Sequence, residues 1–290
     1  MDISTRATLI GIVAILLWAL LALFTATAGA IPPFELMALT FGVAFLGGMV
    51  VLAVRGADGL SELRQAPAPW LVAFLGLFGY HALYFYALQN APVGEASIIC
   101  YLWPLFIVLF AALLPGEGLK ARHLGGALLG FAGTALIIFS KNGDAAPAGS
   151  VTGYAAAFGC ALVWSSYSVV NRRFGQVPSG MLVGVCGAVA LAGLASHLLF
   201  EDSVMPTATQ WTAILALGLG PVGLAFLAWD HATKHGNITL LGTLSYLSPL
   251  VSTALLVLTG KAPASLTLGL AALLVIGGAV LATGLPGKRA

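Results

Sequence analysis

The sequence predicts an all-α membrane protein: ten transmembrane helices arranged as two inverted five-helix repeats around a central cavity. Three observations predict it: the composition, the spacing of the apolar blocks, and two prolines at matched places in the two halves. Of 290 residues, 60% are hydrophobic and 8% are charged, and the mean hydropathy is +1.01. A soluble globule of this size needs far more polar surface than that. The apolar residues come in blocks of about 20, the length a helix needs to cross the hydrocarbon layer, without the two-residue alternation of an outer-membrane barrel.

The blocks define ten spans, approximately 7–28, 33–54, 68–88, 94–114, 120–140, 150–170, 178–200, 209–232, 238–259 and 264–285. Ala28-Gly29-Ala30 resembles the small-residue site at which a signal peptide is cut, but the apolar region before it is longer than a signal core, and its flank carries only Asp2 and Arg6. The first span is therefore expected to be retained, with Trp18 at mid-depth. Glu35 and Glu95 open the second and fourth spans, where a carboxylate complements the positive end of a helix. The third span carries Tyr80, His81 and Tyr84 on one face. Gly126 and Gly130 in the fifth span, and Gly278 and Ala282 in the tenth, have the four-residue spacing of small residues that lets helices approach closely. The sixth contains Trp164 and Ser165; in the eighth, Asp230 precedes Lys234 by one helical turn, which favours an ion pair. Trp70 and Trp211 start their spans, as belt residues at a bilayer surface do. Cys100, Cys160 and Cys186 all fall inside spans without paired spacing and read as packing residues, not as a disulfide or metal framework.

The fourth and ninth spans are the unusual ones. Tyr101-Leu102-Trp103-Pro104 interrupts one, and Tyr246-Leu247-Ser248-Pro249 interrupts the other. A proline inside a helix removes a backbone hydrogen bond, so the peptide oxygens of Cys100 and Ser245 are expected to lose their usual partners. Lipid cannot replace them; such breaks persist where they are buried in protein or line a watered cavity.

Arg6, Arg55, Arg64, Lys120, Arg122, Arg172, Arg173, Lys234, Lys288 and Arg289 fall on one side of the ten-span arrangement, against Lys141 and Lys261 on the other. The positive-inside rule then places both termini in the cytoplasm. The longest connection, Ser140 to Gly149, divides the chain into 1–145 and 146–290. A shift of 146 places Trp18 on Trp164 and Pro32 on Pro178; a shift of 145 places Tyr101 on Tyr246 and Pro104 on Pro249. Because each half crosses an odd number of times, the second is inverted, an arrangement common in secondary transporters.

The two halves, the Trp18 and Trp164 segments that open them, and the stretch from Pro104-Leu105-Phe106 through Gly116-Glu117-Gly118-Leu119 to Gly125 and Gly133 resemble the drug/metabolite transporter superfamily and its EamA-type exporters. The second copy departs from the pattern, reading Gly260-Lys261-Ala262 without the acidic residue. The runs Gly79 to Leu88 and Tyr101 to Pro104 are most similar to the bacterial aromatic amino-acid exporters. The resemblance implies export of phenylalanine, tyrosine and tryptophan across the inner membrane, with other amino acids, metabolites or drugs as the alternative cargo.

The candidate substrate-binding residues are Trp18, Tyr80, His81, Tyr84, Tyr101, Trp103, Pro104, Trp164, Ser165, Tyr246, Ser248 and Pro249. An aromatic wall suits an aromatic cargo, since rings attract one another in offset or edge-on geometry; belt anchoring or core packing is the other reading of such residues. The ammonium of an amino acid can donate to the freed carbonyls, and Ser165, Ser245, Ser248 and His81 can donate to its carboxylate. His81, Glu35 and Glu95 are the candidates for proton-linked transport; His81 can equally bond a neighbouring helix, and the glutamates can serve as caps. No buried arginine or lysine is expected at the site, which points to modest affinity. There is no phosphate-binding loop, and no aspartate pair, Ser-His dyad or His-Glu-x-x-His run that an intramembrane enzyme would use. No cofactor, metal or nucleic acid is implied. The expected partners are a small-molecule substrate and the lipid bilayer, with the chain a monomer or weak oligomer.

Overall fold

A computed structural model describes residues 2–114, 118–141, 150–258 and 265–283. Among them every regular element is helical. Among the described residues nine helices are long and apolar enough to cross a membrane: α1 (Ile3–Ala28), α2 (Pro33–Val54), α3 (Pro67–Asn90), α4 (Val93–Ala111), α5 (Ala121–Ile138), α6 (Val151–Phe174), α7 (Met181–Phe200), α8 (Ala208–His235) and α9 (Ile238–Leu255). A shorter apolar helix, α10 (Leu266–Ala282), follows. Each expected span falls on one of these helices, and the molecule is a multi-pass membrane protein. The Gly116-Glu117 turn, the connection from 142 to 149, Gly260-Lys261-Ala262 and Lys288 and Arg289 lie outside the described residues.

Large apolar side chains face outward in rows: Leu46, Val50 and Val54 on α2, Leu191, Leu194 and Leu198 on α7, Leu273, Ile276 and Val280 on α10. In water such faces would aggregate; against acyl chains they are solvated. The interior is built instead from small residues and aromatic rings. A Cβ on Gly126 would come within 2.5 Å of the Gly278 carbonyl oxygen and 2.9 Å of the Ala282 Cβ, so the glycine is what lets α5 lie directly on α10. The small residues expected at an interface therefore meet each other.

The principal packing partners join the two halves: α1 with α8, α2 with α7, α3 with α6 and α5 with α10, while α4 packs chiefly on α6 and α9 on α1. This set maps onto itself when each helix of the first five is exchanged with the one five places later. Irregularities follow the same exchange. A π-helical turn widens α3 at Leu75–Gly79 and α8 at Gly218–Leu224.

Hydrogen bonds knit the helix ends at two opposite poles. At one, the Glu201 carboxylate accepts from the N–H groups of Phe34 (3.0 Å) and Glu35 (3.1 Å), capping α2. His197 Nδ1 lies 3.0 Å from the same carboxylate, and Glu35 accepts from the Val204 N–H. Gln210 donates to the Ala28 carbonyl, and Glu95 accepts from the Tyr154 hydroxyl. At the other pole, Asn237 N–H donates to Thr8 Oγ1 at 2.9 Å and Arg172 donates to the Gly236 carbonyl at 2.7 Å.

Asp230 and Lys234 stand just inside this second pole with side chains 0% and 1% exposed, paired at 2.7 Å as the one-turn spacing predicts. Asn171 donates to Asp230 Oδ1 at 2.9 Å, and Lys234 also donates to the Val177 carbonyl at 3.0 Å. A buried pair is tolerable only when further hydrogen bonds support it, and here each partner has one. Removing one partner strands the other. Lys234→Met should lower the stability of the detergent-solubilised protein by about 3–5 kcal/mol, and Asp230→Leu with Lys234→Met by much less. Thermal unfolding of the three proteins checks this; equal losses in single and double variants would contradict it.

Candidate functional site

The site begins with the backbone. α4 consists of two pieces, Val93–Cys100 and Trp103–Ala111, and α9 likewise of Ile238–Leu244 and a piece that restarts at Leu247. Pro104 and Pro249 fall in the first turn of the restarted pieces, where a missing N–H costs little because helix-start N–H groups have no intrahelical partner. They are not interior prolines. The Ser245 carbonyl is not free either: it accepts from the Ser248 N–H at 3.1 Å, a tightened turn that spans the break.

The breaks meet through one side chain. The Tyr246 hydroxyl donates to the Tyr101 carbonyl at 3.2 Å, linking the interruption in α9 to that in α4. Tyr246 is fully buried, with its ring against Gly130, where a Cβ would lie 2.5 Å from a ring carbon. It supports the breaks from behind.

In front of the breaks four tryptophans converge from four helices. Trp18, Trp103, Trp164 and Trp229 all lie within ring-contact distance of one another, with centroids from 5.1 Å (Trp18 and Trp229) to 6.4 Å (Trp18 and Trp103). Each such pair contributes roughly 0.5–1.5 kcal/mol beyond area burial, so the cluster forms a firm floor. The Trp18 indole donates to the Pro221 carbonyl in the wide turn of α8, and the Trp229 indole to Ser168 Oγ. Among the described residues the indole N–H groups of Trp103 and Trp164 have no acceptor.

Above this floor lies a cavity of about 630 Å³. Nine of the predicted site residues line it: Trp18, Tyr80, His81, Tyr84, Tyr101, Trp103, Trp164, Ser248 and Pro249. Tyr80 and Tyr84 stack one turn apart, centroids 6.0 Å and planes 9° apart, as their shared face predicts. Pro104, Ser165 and Tyr246 are not among the lining residues. Pro104 packs towards Gly242 of α9, and Ser165 spends its hydroxyl on the Ala161 carbonyl of its own helix at 2.7 Å. Glu35 and Glu95 stand at the helix starts described above, also outside the lining.

The remaining lining comes from residues not singled out in the sequence, including Met37, Thr40, Phe41, Phe85 and Phe226. One signal pointed to Phe226: the 146-residue offset places Tyr80 on it. Leu21 and Thr25 of α1, Pro33 and Leu36 of α2, Val93 and Ser97 of α4 and Ser252 of α9 carry the cavity toward the Glu201 pole, while the tryptophan floor and the Asp230 network close the other. A separate groove of about 450 Å³ between α1 and α8 offers little polar chemistry, since the hydroxyls of Thr27 and Thr212 are bonded within their own helices.

The family described as EamA-like transporters matches two segments, residues 5–139 and 151–284, which together take in both copies of these features. The chain belongs to the EamA-like transporter family. The aromatic amino acid exporter YddG of Ancylobacter novellus is 50% identical over 280 residues, covering 96% of this chain and 97% of that protein. YddG of Escherichia coli is 27% identical over 95% of this chain and 96% of its own length, and a probable terminal-alkyne amino-acid exporter of Streptantibioticus cattleyicolor is 25% identical over 87% and 88%. A crystal structure 48% identical in sequence superposes with a TM-score of 0.92, covering 99% of this chain and 100% of that one.

Tyr246→Phe removes the hydroxyl that serves the Tyr101 carbonyl while leaving the cavity wall intact. A buried acceptor deprived of its donor costs about 1–3 kcal/mol. The variant should melt correspondingly earlier in detergent; a wild-type transition would show that the bond between the breaks is dispensable.

Proposed function

We propose that this protein exports phenylalanine, tyrosine and tryptophan from the cytoplasm across the bacterial inner membrane, by alternating access and without ATP. The observation that carries the reading is the ring-walled cavity, floored by four tryptophans and set between two broken helices. The name of the relative that is 50% identical supports the same cargo. The exchange-symmetric helix pairing supports ten transmembrane helices built as two inverted repeats, 1–145 and 146–290. The charge distribution supports cytoplasmic termini, which makes the Asp230 pole cytoplasmic and the open pole external.

On this reading the structure is an outward-open state. Transport requires the two halves to rock so that the Asp230 pole parts while the Glu201 pole closes, the breaks in α4 and α9 acting as the axis. The cavity wall provides apolar area for the cargo ring, and the unused indole N–H groups of Trp103 and Trp164 with the Ser248 hydroxyl provide donors for its carboxylate. Among the described residues no arginine or lysine lines the cavity, so the carboxylate is held by neutral donors and released readily. The hydrogen bonds of Glu35 and Glu95 support an anchoring role for both at the helix ends.

Cells expressing the wild type should resist a toxic phenylalanine analogue, and Trp103→Ala or Tyr84→Ala should abolish that resistance with membrane expression retained. In liposomes, labelled phenylalanine should exchange against tyrosine and tryptophan. Normal resistance in both variants, or exchange only with other metabolites, would overturn the assignment.

A further inference from the structure

The following inference rests on the exporter reading and concerns how the cavity meets the one positive group that an amino acid carries. Among the described residues no aspartate or glutamate lines the cavity. Of the carbonyls at the breaks, those of Tyr101 and Ser245 accept from Tyr246 and Ser248, and among the described residues the Cys100 carbonyl has no donor, as the sequence predicts. Two of the lining hydroxyls donate within their own helices, Thr40 to Leu36 at 2.7 Å and Thr253 to Pro249 at 2.9 Å.

His81 is arranged differently. It stands two residues past the end of the π-helical turn Leu75–Gly79, and its Nδ1 lies 2.7 Å from the Leu77 carbonyl oxygen. A carbonyl oxygen can only accept, so Nδ1 carries the hydrogen. In the neutral ring this leaves Nε2 as a bare lone pair. The plane cannot turn away: Phe41 and Phe226 both meet the ring edge-on at 89°, with centroids at 5.3 and 6.2 Å. The ring borders the cavity, and Nε2 has no partner among the described residues.

We propose that His81 is the residue that recognises the substrate ammonium, accepting its N–H at Nε2, and that the wide turn of α3 fixes the tautomer that makes this possible. This reverses the sequence expectation that His81 donates to the carboxylate. It also explains why an irregular turn precedes this histidine, since its carbonyl serves as the anchor for the ring. Selectivity for amino acids over deaminated aromatic acids then resides at His81, while the indoles and tyrosines of the wall select the ring.

Two substitutions separate the two nitrogens. His81→Asn places an amide nitrogen near Nδ1, keeping the bond to Leu77 but removing Nε2; His81→Gln places an amide near Nε2 and restores an acceptor. Binding of L-phenylalanine, phenethylamine and 3-phenylpropanoate to the purified protein should be measured for each. His81→Asn should weaken phenylalanine and phenethylamine by about tenfold and leave 3-phenylpropanoate within about twofold, and His81→Gln should recover most of the loss. Equal weakening of all three ligands in His81→Asn would assign His81 a purely structural role, and unchanged binding of all three would deny it any; either overturns the proposal. Failure of the wild type to bind phenylalanine at all would instead remove the exporter reading, and this inference with it.

Discussion

A peptide group in a bilayer must find its hydrogen bond inside the protein, and the structure is governed by how two interrupted helices meet that demand. In α9 the Ser245 carbonyl is met by a tightened turn to Ser248; in α4 the Tyr101 carbonyl is met by a hydroxyl from the opposite break. The second half therefore serves its own break and supplies what the first half's break lacks. A break in a lone helix would be unfavourable, but two breaks back to back, held by Tyr246 in its notch on Gly130, open space at mid-depth without leaving a polar group in lipid. The cavity, the tryptophan floor and the wide turns beside them all occupy the room this arrangement creates.

The two poles differ in kind. At the external pole as proposed, carboxylates and His197 cap helix ends in a network that fixes α2 to α7 without sealing the space between α1, α4 and α9. At the other, a fully desolvated Asp230-Lys234 pair with Asn171 lies beneath the indoles. A desolvated ion pair held by further hydrogen bonds has few alternatives to its native geometry, which suits a closed gate that opens as a unit. The floor and the network thus belong to one device: rings exclude water above, and charge locks the helices below.

Much of this was legible in the sequence because it follows from one-dimensional patterns. The spans, the matched Trp18 and Trp164, the shared face of Tyr80 and Tyr84, the Asp230-Lys234 pair and the small-residue contact of α5 with α10 all depend on spacing along a helix. What spacing does not encode is rotation and long-range partnership. Tyr246 reads as a mirror of Tyr101, yet it points behind the break, because Gly130 on α5 offers a notch that only the packed helices reveal. Ser165 lies beside Trp164 but turns its hydroxyl to its own backbone, as serines in apolar helices do. The prolines mark the breaks correctly but sit after them, in the first turn of the restarted helix. Phe41 and Trp229 carry no spacing signal that sets them apart from the other apolar residues of their spans.

The central claim is that the space in front of the paired breaks is where cargo sits. It is tested most directly by a cysteine at Ser248, in a background from which Cys100, Cys160 and Cys186 have been replaced, with alkylation by a membrane-impermeant maleimide followed from the external side of right-side-out vesicles. The account predicts labelling that phenylalanine slows in a saturable manner. A cysteine that never reacts, or one whose labelling rate is indifferent to phenylalanine, would contradict it.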